Sequence, residues 1–152
     1  MHKTTLLTLV LIQLLFSHNI AAKEVKKETV EFLNSKAASV HLPFSEIVRV
    51  ENTLYLSGQI GLNPKTKKLA VGVKAEVEQT LTNIEQTLQR HGYSMDNVVK
   101  CTVMLTDIAD FKVFNQVYTR YFSAPYPARS AFAINKLALN ASVEVECIAS
   151  TL

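Results

Sequence analysis

The sequence predicts an α+β fold: one sheet with two helices laid on the same face. Three observations lead there. A chain of 152 residues has room for one domain around one core. Apolar residues recur at helical spacing over residues 73–91, and an aromatic stripe repeats that spacing before residue 122. Stretches of period-two alternation lie before, between and after these segments. The order strand, helix, strand, helix, strand, strand implies a single layer of helices over a sheet.

Taken in order, residues 23–36 begin charged, and 29–33 within them can form a first strand. Residues 37–43 read as a loop. Residues 45–50 and 53–60 are two strands joined through Glu51-Asn52, which has turn chemistry. Residues 61–72 form a polar loop with Asn63-Pro64 and three lysines, Lys65, Lys67 and Lys68, read as a solvated turn. In the helix over 73–91, Val77, Leu81, Ile84 and Leu88 make one apolar stripe, and Gly92 supplies the left-handed stop. Val98–Leu105 is a strand whose Val99, Cys101, Val103 and Leu105 are expected to share one face. Asp107 or Asp110 can cap the second helix, which buries Phe111, Phe114, Tyr118 and Tyr121 and runs to about residue 122. Pro125 and Pro127 forbid its continuation. Ala131, Ala133 and Asn135 then alternate with Phe132, Ile134 and Lys136. In the last strand Val143, Val145 and Cys147 point one way, and Glu144 and Glu146 the other.

The extreme N-terminus is a different kind of segment. Lys3 precedes an almost wholly apolar run over 6–16, followed by polar and small residues ending in Ile20-Ala21-Ala22. That is the layout of a secretory signal peptide cleaved after Ala22; the alternative is an amphipathic N-terminal extension. The run is short for a membrane span. Its removal takes away Lys3 alone among the charges and leaves 15 basic against 13 acidic side chains, net +2. Export would place the chain in the periplasm or outside the cell; an unprocessed chain would stay cytoplasmic. Export would also permit a bridge between Cys101 and Cys147, although two buried free thiols on a core face are the expected arrangement.

The net charge of +3 comes without a basic run, so nucleic acid is not an expected partner. The four histidines are scattered and no CxxC occurs, so no metal is expected. Chemistry concentrates instead at Pro127-Ala128-Arg129-Ser130 and Val143-Glu144-Val145-Glu146. Arg129 is one of four arginines, placed at the mouth of a strand. Its planar fork of donors matches a carboxylate in two parallel hydrogen bonds. A carboxylate at Glu144 would complete a pocket for a small acid. The plainer reading is a structural Arg129–Glu144 ion pair.

Pro-Ala-Arg-Ser followed by a strand, a short linker and Val-Glu-Val-Glu resembles the signature of the RidA family, also called YjgF or reactive-intermediate deaminase A. Three further pieces resemble it in the same order: Leu56-Ser57-Gly58-Gln59-Ile60 with Asn63-Pro64; Val98-Val99-Lys100-Cys101-Thr102-Val103; and Asp110-Phe111 with Phe114-Asn115 and Tyr118. The resemblance implies a chorismate-mutase-like fold with a mixed sheet over residues 37–152. It implies a homotrimer with sites between chains. The mixed character of the helix-free sheet face, with Thr102, Met104, Glu144 and Glu146, agrees with burial against another subunit. The activity implied is hydrolysis of 2-imino acids such as 2-iminopropanoate and 2-iminobutanoate to 2-keto acids and ammonia. No cofactor is implied.

Carried over by position, Arg129 would anchor the substrate carboxylate and Glu144 would hold the attacking water. Ser57, Gly58 and Asn115 would line the cleft, and backbone near Ala131 would orient the imine. Two positions depart from the family: Phe44 stands where a Tyr is usual, and Ala131 where a Cys is usual. The cleft is then expected to be drier and slightly larger. The competing classes are a non-catalytic trimer that binds 2-keto acids and a chaperone-like interaction protein. A ribonuclease reading finds no His–Lys or paired-His arrangement in the sequence.

Overall fold

The computed structural model describes residues 29–35 and 43–151. The expected signal peptide therefore lies outside the described residues. Seven strands form one mixed sheet: β1 (Val30–Leu33), β2 (Ile47–Val50), β3 (Thr53–Leu56), β4 (Gln59–Ile60), β5 (Val98–Leu105), β6 (Ala128–Ala133) and β7 (Val143–Ser150). Two helices, α1 (Val73–Arg90) and α2 (Phe111–Tyr121), complete it. The strand order is β1-β2-β3-β7-β5-β6, with β4 also paired to β7. Every pairing is antiparallel except β5 with β6, which α2 connects as a crossover.

One side of the sheet carries the core. Val77, Leu81, Ile84 and Leu88 of α1 are fully buried, as their spacing predicts. From α2, Phe114 and Tyr118 are buried and Val117 joins them, while Phe111 and Tyr121 are only partly covered. The helices meet these strands through Ile47, Leu54, Cys101, Val103, Val143 and Val145. Gly92 takes φ +83° at the end of α1, the left-handed turn its position requires. The opposite face of the sheet has no covering element among the described residues.

Three local expectations are corrected. Val99 does not share the face of Cys101: it is 49% exposed. A shift in register between Val98 and Lys100 inserts a bulge there, so Val98 takes the core position instead. The strand expected over 53–60 is broken at Ser57-Gly58. Tyr55 pairs Ile148 and Gln59 pairs Val145, so four steps on one strand face three on the other, again a bulge. Finally, Cys101 and Cys147 are not free thiols. They face each other directly across β5 and β7 and are joined in a disulfide. It is the pairing of β5 with β7 that brings the two residues opposite each other.

Candidate functional site

Arg129 sits on β6 beside Cys101 of β5 and shares its face, the one the helices cover. The preceding prolines end α2 and return the chain to the sheet edge. There the guanidinium lies over three rings of α2: its carbon is 4.6 Å from the Tyr118 ring centre, 5.3 Å from Phe111 and 5.5 Å from Phe114. One N–H donates to Asn115 Oδ1 at 2.7 Å. Phe111, then Phe114 and Asn115, then Tyr118 follow at steps of three or four residues, so one face of α2 supplies the whole cradle. Among the described residues no carboxylate lies within ion-pair distance of Arg129. The remaining donors border a cleft of about 300 Å³ walled by Tyr118, Thr119, Tyr126 and Pro127.

Sequence reasoning assigned the three rings to the core and passed over their second duty. Tyr126, exposed between the two prolines, was also missed. Burial pushes the Tyr118 phenol above its usual range, and the nearby Arg129 charge only partly opposes this. Its Oη is a buried side-chain polar atom without a partner among the described residues.

Glu144 lies elsewhere. Its neighbours Val143 and Val145 are fully buried on the helix side, so Glu144 projects from the open face. It is level with Met104 of β5 and Phe132 of β6, three residues along from Arg129 and two strands across. Strand spacings put the two Cα atoms about 14 Å apart. The side chains point from opposite faces, so the structural Arg129–Glu144 ion pair does not form within one chain.

Around Glu144 the other expected residues collect. A Cβ on Gly58 would collide with Glu144 Oε1, so only glycine lets the carboxylate lie over this backbone. Ser57 is next to it and donates its hydroxyl to the Ser45 carbonyl at 2.6 Å. Ser57 and Phe44 border a second cleft, of about 530 Å³. Behind the strand, Glu76 of α1 is buried and accepts the Ser142 N–H at 2.6 Å and, more weakly, the Val143 N–H at 3.4 Å. A Cβ on Gly61 would meet this same glutamate.

The expected residues thus fall into two groups. Arg129, Asn115 and Ala131 belong to the β6–α2 edge; Phe44, Ser57, Gly58 and Glu144 belong to the other. Ala131 is level with Val103 and faces the helices, one pleat beyond Arg129. Asn115 is correctly placed, and its first partner is the arginine itself.

Comparisons with known proteins give the same frame. The family model described as Endoribonuclease L-PSP matches residues 34–151. Reactive Intermediate Deaminase A, chloroplastic, of Arabidopsis thaliana is 42% identical over 135 residues, 88% of this chain and 71% of that protein. The 2-iminobutanoate/2-iminopropanoate deaminase of Bos taurus is 43% identical over 116 residues, 76% of this chain and 85% of its own length. Among solved structures, RidA from the Antarctic bacterium Psychrobacter superposes with a TM-score of 0.70 at 41% identity, covering 74% of this chain and 91% of the other. E. coli TdcF with bound serine gives 0.74 at 28% identity, covering 80% and 99%. The chain therefore belongs to the Endoribonuclease L-PSP family, which is that of the RidA/YjgF reactive-intermediate deaminases.

Proposed function

We propose that this protein is a cofactor-free hydrolytic deaminase that converts 2-imino acids to 2-keto acids and ammonia. The observation that carries the proposal is Arg129: a half-buried guanidinium, held by three rings and Asn115, with no acid of its own among the described residues. Such a group is built to receive an anion from outside the chain. Relatives named for 2-iminobutanoate and 2-iminopropanoate support an imino acid as that anion.

Each site is assembled from two chains of a homotrimer. The separation of Arg129 from Glu144 supports this, because one chain cannot bring them together. So does the rest of the open sheet face, whose Tyr55, Met104, Phe132 and Ile148 have no cover among the described residues. Arg129 of one chain holds the substrate carboxylate and fixes the C=N carbon in place. Glu144 of the next holds a water and takes its proton as oxygen adds to that carbon. The protonated nitrogen of the resulting carbinolamine then leaves as ammonia, and the hydroxyl proton is lost as the C=O bond forms. Fixing the acid makes water attack effectively intramolecular, and the carboxylate adds about 10²–10⁴-fold as acid or base.

Export to the periplasm or beyond is part of the proposal. The apolar leader over 6–16 and the Cys101–Cys147 disulfide support it, since disulfides persist in oxidising compartments. The test of function generates 2-iminopropanoate in situ with an amino-acid oxidase and follows its decay. Wild type should accelerate decay and Arg129→Ala should not. Equal decay with and without protein, together with stabilisation by pyruvate, would replace the enzyme by a keto-acid binding trimer.

A further inference from the structure

We infer that the cleft beside Glu144 is a subsite for a bulky apolar side chain, with Phe32 and Phe44 as its specificity-determining walls; this rests on the deaminase reading above. The cleft is about 530 Å³, within the usual size of small-molecule sites. It adjoins Glu144 through Ser57-Gly58, because Ser57 borders it and the Glu144 carboxylate lies over Gly58. Its polar side chains are engaged with one another. Asn34 accepts the Glu46 N–H at 2.9 Å and donates to Ser45 Oγ at 3.3 Å, and Ser57 donates to the Ser45 carbonyl. What remains to meet a ligand is apolar: Phe32, Phe44, Pro43 and Val48.

The two rings are conspicuous. Phe32 is 69% exposed and Phe44 54% exposed, although burying a phenyl ring is favourable and an open pair of them is costly to leave in water. Phe32 comes from β1, ahead of the residues 34–151 that match the family model, so this wall is set by the chain's own leading strand. Phe44 has no hydroxyl to hydrate the floor. A substrate carboxylate held by Arg129 and an imine carbon facing Glu144 leave only the side chain to occupy this cleft. The substrates favoured are therefore 2-imino acids with branched aliphatic or aromatic side chains. Each added methylene contributes severalfold, so the preference over 2-iminopropanoate should be about 10–100-fold in kcat/KM.

The experiment compares imines generated by an amino-acid oxidase from alanine, leucine and phenylalanine, with wild type and Phe32→Ala. Thermal shifts with pyruvate and 4-methyl-2-oxopentanoate are measured in parallel, and circular dichroism checks that the variant folds. Wild type should favour the leucine- and phenylalanine-derived imines, and Phe32→Ala should collapse that ratio toward one. A wild-type ratio near one, or a ratio unchanged in Phe32→Ala, overturns the subsite. If wild type hydrolyses none of the imines, the deaminase reading falls, and the keto acids decide the subsite separately. A larger shift with 4-methyl-2-oxopentanoate than with pyruvate, lost in Phe32→Ala, sustains it. Equal shifts or none overturn it.

Discussion

Replacing both cysteines, Cys101→Ala with Cys147→Ala, should cost more stability than any single core truncation of similar size. The bridge joins β5 to β7 at the centre of the sheet and closes a loop of sequence separation 46. A cross-link of that span removes loop-closure entropy from the unfolded chain worth about 4 kcal/mol at 25 °C on the chain-entropy account. Alanine is the right replacement because both positions are almost fully buried and a serine would bring in a hydroxyl without a partner. The assay is urea unfolding of oxidised wild type and the double variant at one fixed protein concentration, so that any contribution of assembly is the same for both. With a slope of about 2 kcal/mol/M, the midpoint should fall by about 2 M. Mass spectrometry of the non-reduced protein should show the pair two hydrogens lighter than the dithiol. A loss below about 1 kcal/mol would refute the entropic reasoning, and two alkylatable thiols in the native protein would refute the bridge.

Three further outcomes are expected. Burial acts to raise the Glu46 carboxyl, but hydrogen bonds from His91, the Ser35 N–H and Arg90 outweigh it and hold the group below its ordinary range. A depressed folded value means the stabilisation is present above the ordinary carboxylate pKa and is lost as pH falls through the folded one. Melting temperatures should therefore decline from about pH 5 downward, and Glu46→Gln should flatten that decline; parallel curves would contradict it. Leu139 is 65% exposed at φ +57°, a left-handed conformation costly for a leucine. Leu139→Asn should stabilise by up to about 1 kcal/mol in the same urea assay, and a lower midpoint would show the side chain has a packing role. Glu76→Ala strands the half-buried Ser142 N–H and should cost about 1–3 kcal/mol, while Glu76→Gln keeps an acceptor and should recover most of it. Equal losses in the two variants would argue against the hydrogen bond.

Much of this was legible beforehand because it is written in local periodicity. The stripe from Val77 to Leu88 and the left-handed Gly92 follow from one helix and its stop. The alternation around Glu144 placed it opposite Val143 and Val145 without any tertiary knowledge. What escaped depends on register between distant strands. Whether Cys101 meets Cys147 is decided by how β5 pairs β7, and the bulge that expels Val99 is a property of the pair, not of either strand. Glu76 stands in the first turn of α1 with nothing in the sequence to mark it, and its role exists only because β7 begins beside it. Of the rings beneath Arg129, Phe114 and Tyr118 are core and Phe111 is half-buried against it; that they also face a cation depends on α2 crossing over β6.

The claim beneath the whole account is that the arginine and the glutamate of one active site come from different chains. Mixing decides it. Arg129→Ala and Glu144→Ala should each be inactive alone on an imine that wild type hydrolyses. Unfolded together in equal amounts and refolded, they should regain about a quarter of the wild-type rate, the share of interfaces that pair an intact arginine with an intact glutamate. A mixture as inactive as its parents, with mixed oligomers verified by mass, would mean that the two groups do not meet across subunits.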